Sequence, residues 1–385
     1  MENAMKKKTV GCYYFPNFHP GDERNIAYHG NGWSEWELVK HALPRFPDHK
    51  QPKVPVWGYG NEADPAVMAQ KIEAAADHGI DYFIFDYYYY NDGTFLESCL
   101  NDGFLKAENL LRMKFALMWA NHDWQDIHPC GRTQRHLLYP GSVSRETFDA
   151  MALHVIQKYF LHPAYFRLDG APYFSIYHLA EFLKSFGGVE GSRDALTRFR
   201  EISIREGAGN PHLNCIIWGC PLLPCEGKML NMPELVKELG FDSITSYVWI
   251  HHVSLGKEKT ADYENVCKTY FDGVDEICEQ YPLPYFPNVT VGWDSTPRTL
   301  VTDCWSPDIG YPYMPVITGN TPDCFRSALL RCYKLMKKYD MPTMNINSWN
   351  EWTEGSMLEP EQEYGYAYLK AVQSVFGSGE KNIEK

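Results

Sequence analysis

Glu351 and Glu354 stand three residues apart in the segment Ser348-Trp349-Asn350-Glu351-Trp352-Thr353-Glu354-Gly355, directly after the β-prone run Thr343-Met344-Asn345-Ile346-Asn347. Positions i and i+3 of an extended strand point to opposite faces, so the two carboxyl groups converge only if the chain curls after Glu351. Paired carboxyl groups among tryptophans at a strand exit suit glycosidic bond cleavage. One group protonates the leaving oxygen and the other serves the opposite side of the sugar. The plain alternative is a surface loop with two solvated glutamates, because acidic side chains are rarely buried unless paired.

Short β-branched and aromatic runs must position this segment, and they alternate with amphipathic stretches along the whole chain. Strands are expected at 9–14, 82–86, 115–119, 173–177, 214–218, 243–247, 289–293 and 344–347. Helices are expected at 65–78, 95–112, 144–160, 192–206, 232–239, 262–280, 322–339 and 363–376. Strands that each lead into a helix, eight times over, predict a single (β/α)8 TIM barrel. A doubly wound sheet fits less well, since no Gly-x-Gly-x-x-Gly follows the first strand. The expected layout is one catalytic domain over 1–385, with an ordered core at about 8–376.

Strand-to-helix connections are long after the first, third, sixth and seventh strands, whereas helix-to-strand connections such as Asp77-His78-Gly79-Ile80 are short. Barrel active sites are built from the strand-to-helix loops, so the long loops mark the working end. All 11 tryptophans fall at the ends of expected strands or in the loops that follow them, and none in an expected helix. That distribution predicts an aromatic, Trp-lined cleft rather than Trp shared with the outer helices.

The formal net charge of −13 argues against a nucleic-acid or anionic-membrane partner and favours a neutral ligand over a polyphosphate. The 11 cysteines are scattered without a Cys-x-x-Cys pair, which reads as reduced thiols. No apolar run approaches a membrane span, and Met1-Glu2-Asn3-Ala4-Met5-Lys6-Lys7-Lys8 lacks the apolar core of a signal peptide. A cytoplasmic location is expected, or a periplasmic or secreted one if a signal peptide has been removed. Oligomeric state is not legible. His122, His128, His251 and His252 lack the spacing of a zinc site, and neither metal nor cofactor is expected. No Gly-x-Ser-x-Gly nucleophile elbow is present.

Five ordered motifs sharpen the reading. They are Tyr14-Phe15-Pro16-Asn17-Phe18-His19-Pro20, Gly32-Trp33-Ser34-Glu35-Trp36, Trp119-Ala120-Asn121-His122-Asp123-Trp124, Asp294-Ser295-Thr296-Pro297-Arg298, and the closing Trp349-Asn350-Glu351-Trp352-Thr353-Glu354-Gly355 with Leu358-Glu359-Pro360. Over nearly the whole chain this series resembles the WbsX-like, glycoside hydrolase family 99-like domain proteins. The resemblance implies a (β/α)8 barrel. It also implies that Glu351 and Glu354 match the two catalytic carboxylates of family 99 enzymes, which cleave α-mannosidic linkages with retention. Many WbsX-like proteins are instead described as polysaccharide-biosynthesis glycosyltransferases. The chain departs from the family pattern at the second strand exit, where Tyr87 replaces His and Tyr89 replaces Trp, and at His122-Asp123, where Glu-Asn is usual. These changes fall on expected sugar-contacting positions, so substrate identity does not transfer.

The expected activity is therefore retaining hydrolysis of an α-linked manno- or rhamno-configured sugar in an oligo- or polysaccharide. Glu354 is the expected acid/base and Glu351 its partner, with a 1,2-anhydro sugar as the intermediate that the resemblance implies. Expected substrate contacts are Tyr13, Tyr14, Glu35, Trp36, Asp86, Tyr87, Tyr88, Trp119, Asn121, Trp124, Tyr247, Asp294, Arg298, Trp349, Asn350 and Trp352. Arg298 is expected to hold a substrate anion or to bridge to Asp294. The alternatives are a glycosyltransferase of O-antigen or capsule biosynthesis, which would need a nucleotide-sugar site, and a non-catalytic carbohydrate-binding barrel, which would need no paired acids.

Overall fold

The computed structural model describes residues 8–377 except 134, 220–223, 226–227, 230 and 309. Eight parallel strands form a closed ring: β1 (Thr9–Tyr14), β2 (Tyr82–Tyr90), β3 (Lys114–Trp119), β4 (Ala171–Ile176), β5 (His212–Ile216), β6 (Ser243–Thr245), β7 (Tyr285–Phe286 and Asn288–Thr290) and β8 (Thr343–Asn347). The first half of β7 pairs with β6 and the second half with β8. Pro287 divides the two halves; it has no N–H to give to a ladder. β8 in turn pairs with β1 in the register Thr9↔Thr343, which closes the barrel.

The outer helices are α1 (Pro65–Asp77), α2 (Arg145–Val155), α3 (Val189–Arg205), α4 (Met232–Glu238), α5 (Tyr263–Gln280), α6 (Pro322–Lys338) and α7 (Ala367–Phe376). Their starts are capped. Asp64 accepts from the Ala66 N–H ahead of Pro65, Asp262 from Asn265, and Thr321 from Cys324 ahead of Pro322. Among the described residues no helix is long and apolar enough to cross a membrane.

Two expectations fail here. The segment at 95–112 is not one helix but a π-turn at Cys99–Gly103 followed by two 3₁₀ turns. Gly103 is the reason: a β-carbon there would lie 2.0 Å from the Glu62 carbonyl oxygen, and Asn101-Asp102-Gly103 is a weak helical sequence. The seventh strand runs over 285–290 rather than 289–293. Past Thr290 the chain closes on the β8 exit, where a β-carbon on Gly292 would stand 2.8 Å from the Gly355 carbonyl oxygen.

The barrel interior follows the two-residue period of its strands, and it is polar. Tyr82 shares a 2.8 Å hydrogen bond with Thr343, and Ser175 donates to Asn214, which donates to Ser243. Asn345 donates to Thr245 and accepts from Asn288, both at 2.6 Å. These buried polar groups meet one another, which is the condition for placing such groups inside a core, whereas the Tyr13 hydroxyl and the Asn347 amide have no partner among the described residues. The same period carried upward puts Phe15, Asp86, Tyr88, Met118, Tyr177, Trp218 and Tyr247 around the mouth.

Gly11 has no room for a side chain, since a β-carbon would lie 2.5 Å from the Tyr82 ring, itself stacked on Phe166. Gly11→Ala is expected to cost about 1–3 kcal/mol, the usual range for overpacking a filled core. Urea unfolding of the variant checks it, and an unchanged midpoint would mean that the ring yields freely.

Candidate active site

The β8 exit curls because local hydrogen bonds hold it so. The Ser348 hydroxyl accepts from the Glu351 N–H and donates to the Ser356 carbonyl. The Asn350 side chain donates to the Phe15 carbonyl at 2.7 Å and accepts from the Phe15 N–H at 2.8 Å, tying this exit to that of β1. Trp352–Glu354 then form a 3₁₀ turn, in which side chains at i and i+3 eclipse, so Glu351 and Glu354 emerge on the same side. Gly355 ends the turn at φ +66°, and a β-carbon on it would stand 2.5 Å from Cβ of Asp294. Asp294 buttresses the turn: its N–H donates to the Glu354 carbonyl, and its carboxylate accepts from His49, Gln51 and Thr296.

Arg298 joins the acids. Its Nη1 donates to Glu354 Oε1 at 2.6 Å, and its Nη2 to Glu351 Oε2 at 3.3 Å. Nε and Nη2 reach Glu35 Oε1 at 3.1 and 2.9 Å. Tyr311 accepts from Nη1 and donates to Glu354 Oε1 at 2.8 Å. Thr353 donates to Glu35, whose other oxygen accepts from Asn17 at 2.7 Å. On the far side, the Tyr247 hydroxyl lies 3.0 Å from Glu351 Oε1 and 3.1 Å from Asp86 Oδ2.

Burial pushes the carboxyl groups of Glu351 and Glu354 up. The charge of Glu354 adds to the rise at Glu351, while Arg298 opposes it at both and Tyr311 at Glu354. Asp86 also rises well above the usual carboxylate range through burial, against a hydrogen bond from Tyr247. Glu35 goes the other way: burial alone would raise it, but Arg298, helped by hydrogen bonds from Thr353 and Asn17, holds it low. Burial drops His128 to about 3 and His122 to about 4, so both imidazoles are neutral at physiological pH.

These groups open on a cavity of about 680 Å³ at the C-terminal mouth of the barrel. Of the residues expected to contact substrate, Asp86, Tyr88, Trp124, Tyr247 and Arg298 line it, together with Glu351 and Glu354. Others lie behind its wall. Tyr14 points outward and donates to Met68 on α1, Tyr87 points outward to Glu97, and Trp119 packs outward against Phe148. Tyr13 faces inward but lies beneath Tyr247, with ring centroids 4.6 Å apart. Asn121 ties the β3 exit to His178, Trp36 donates to the Gly60 carbonyl, and Trp349 packs on Phe83. Asn350, Asp294 and Glu35 hold the frame. Arg298 bridges neither to Asp294 nor to a free space for an anion.

The Trp-lined cleft is only partly realised. Trp124, Trp218 and Trp293 line the cavity, whereas Trp119, Trp249, Trp349 and Trp352 are core. Sequence reasoning missed Phe15, Tyr177, His251 and Tyr311 on the wall; strand parity would have found Phe15 and Tyr177. It also missed the buried cluster behind the turn, where Lys71 of α1 meets Glu62 and Glu359 while Glu359 accepts from the Trp352 indole at 3.0 Å. The signal was a lysine beside Met68, Ile72 and Ala75 on the apolar face of α1.

The barrel fold is shared with solved glycoside hydrolases. A glycoside hydrolase-like protein superposes with a TM-score of 0.63 at 15% identity, covering 97% of this chain and 95% of that one. The family 99 endo-α-mannosidase from Bacteroides thetaiotaomicron, bound to bis-tris-propane, superposes with a TM-score of 0.53 at 13% identity over 94% of each chain. The chain belongs to the family described as glycosyltransferase WbsX, whose model matches residues 10–372. An uncharacterized protein, WxcX, of Xanthomonas campestris pv. campestris (strain B100) is 27% identical over 381 residues, and the WxcX of strain ATCC 33913 is 28% identical. The chain spans about half the length of these relatives, 49% in each case.

Removing Arg298 would leave three buried glutamates without their cation. Arg298→Met is expected to lower stability at neutral pH by about 3–5 kcal/mol, the cost of breaking a buried pair. The deficit should shrink on acidification. In the wild type, the depressed Glu35 carboxyl contributes stability above its unfolded value, and this is lost as pH falls; in the variant, the raised acids regain stability as they protonate. Urea unfolding at neutral and mildly acidic pH checks this, and a deficit independent of pH would contradict the ionic account.

Proposed function

We propose that this protein is a retaining glycoside hydrolase of α-linked manno- or rhamno-configured sugars. The observation that carries the reading is the pair Glu351 and Glu354, bridged by one guanidinium at the floor of an aromatic cavity. One guanidinium reaching both carboxyl groups, at 2.6 and 3.3 Å, keeps the two acids together as a working pair.

The hydrogen bonds divide the roles. Both bonds to Glu354 fall on Oε1, and Oε2 bonds to no described residue, so Oε2 is free to carry a proton toward the leaving oxygen. Glu351 accepts on both oxygens, from Tyr247 and from Arg298, which is the arrangement of a base. Glu351 takes the proton of the sugar 2-hydroxyl, O2 attacks the anomeric carbon, and Glu354 protonates the departing oxygen. Water, deprotonated by Glu354, then opens the 1,2-anhydro ring at the anomeric carbon, and Glu351 returns its proton to O2. Trp124, Trp218 and Trp293 offer faces for the C–H surfaces of sugars.

The glycosyltransferase reading draws support from the family's description. Against it, Arg298 is the only arginine or lysine among the described residues lining the cavity, and its donors are engaged by glutamates, so among these residues a sugar diphosphate would find no free cation. Calorimetric binding of a nucleotide sugar, without release of reducing ends from glycans, would favour transfer.

The test is a panel of α-manno- and α-rhamno-oligosaccharides read for new reducing ends. On a substrate so found, Glu351→Gln and Glu354→Gln should each lower kcat at least about 100-fold, as loss of general acid–base catalysis does. A 2-deoxy analogue should bind yet turn over far more slowly. A covalent glycosyl-enzyme trapped on Glu351 would replace the anhydro route with direct displacement.

A further inference from the structure

Tyr247 has one hydroxyl proton and two carboxyl neighbours, Glu351 Oε1 at 3.0 Å and Asp86 Oδ2 at 3.1 Å. A phenol donates once. With both acids ionised, one of the two contacts would set lone pair against lone pair at hydrogen-bond distance in a buried site, so one acid must carry a proton and donate it to the phenol oxygen.

The surroundings decide which. The second oxygen of Glu351 meets the Arg298 guanidinium, which stabilises an anion there. Asp86 has no such contact. Its residue is only 4% exposed, and its Oδ1 has no hydrogen-bond partner although the side chain lines the cavity. The charged or titratable groups around it are Tyr13 on β1, Tyr88 on β2 itself and Tyr177 just after β4, then Tyr247, Arg298, Glu351 and Glu354. Arg298 is the cation among them, and it is bound to three glutamates. An aspartate anion here would be buried, without an ion-pair partner among the described residues and beside the charge of Glu354, all of which favour the neutral acid.

We propose that Asp86 is an uncharged carboxylic acid that donates Oδ2–H to Tyr247, so that Tyr247 in turn donates to Glu351 and holds it as the carboxylate, while Asp86 Oδ1 accepts a hydrogen bond from a substrate hydroxyl. The assignment rests on the proposed reading for the role of Glu351 as base; the protonation state itself does not. Asp86 acts on the reacting atoms through Tyr247 and is in that respect a positioning residue. It is also a determinant of which sugars fit, because a carbonyl oxygen at that place selects a hydroxyl donor.

The test is infrared spectroscopy of the full chain at neutral pH, without any glycan, reading the C=O stretch of protonated carboxyl groups. The wild type should show such a band, isotope labelling of aspartate should shift it, and Asp86→Asn should abolish the shifted component. Tyr247→Phe should move the band to the frequency of a free acid without removing it. If the labelled wild type shows no protonated aspartate, or if the band moves only on glutamate labelling, the assignment is overturned, whether or not Asp86→Asn folds. A chain that hydrolyses nothing on the panel yet keeps the aspartate band would overturn the hydrolase reading and leave the acid in place.

Discussion

One guanidinium set against four buried acids governs this molecule. Arg298 neutralises part of the charge of Glu35, Glu351 and Glu354, and Asp86 stands beyond them behind Tyr247. Moving an ion out of water costs several kcal/mol even after the protein relaxes, so four carboxylates around one cation cannot all stay ionised. The site must store protons. Glu35 meets Arg298 through two donors and remains an anion, so it locks the guanidinium. The other three lie where burial pulls toward protonation and hydrogen bonds pull toward charge, the balance that places acids and bases near working pH.

Holding such a balance requires rigid geometry, and the fold supplies it from three sides. Asn350 pins the β8 exit to the β1 exit through both backbone groups of Phe15. Asp294, fixed by His49, Gln51 and Thr296, closes on Gly355 too tightly for any side chain there. Behind the turn, Lys71 bonds Glu62 and Glu359, and those two acids hold Asn350 and the Trp352 indole. A polar network in the core carries value only when every member is satisfied. Here the satisfied members are the ones that aim Glu351 and Glu354.

The legible part of the sequence was whatever depends on local period and spacing. Strand order and the long working-end loops follow from the alternation of strand-like and helix-like runs. The curl after Glu351 was legible because two acids at i and i+3 can meet in no other way. Which aromatic faces inward was less so. Tyr13 and Tyr14, like Tyr87 and Tyr88, are the same residue type side by side, yet neighbours on a strand point to opposite sides; Phe15 and Tyr88 line the cavity, and Tyr14 and Tyr87 do not. Long-range polar partners were illegible, since no spacing announces that Lys71 will meet Glu359, 288 residues away. The helix expected at 95–112 gave way to short turns around Gly103, where a β-carbon would meet the Glu62 carbonyl.

The composition of the cavity bears on why one family can carry a transferase description on a hydrolase-like barrel. Both chemistries pass through an anomeric carbon that gains positive charge as the leaving group departs, and a cluster of acids with aromatic walls serves that carbon in either case. The two part at the leaving group. A diphosphate departs with its negative charge and needs cations in front of it, whereas a sugar alkoxide needs a proton. In this mouth the histidines are held neutral by burial, and the arginine is already engaged. In the proposed hydrolysis, a departing oxygen meets an acid with one oxygen free, Glu354 Oε2, beside aromatic walls. That asymmetry between scarce free cation and available proton is the physical ground for placing hydrolysis ahead of transfer.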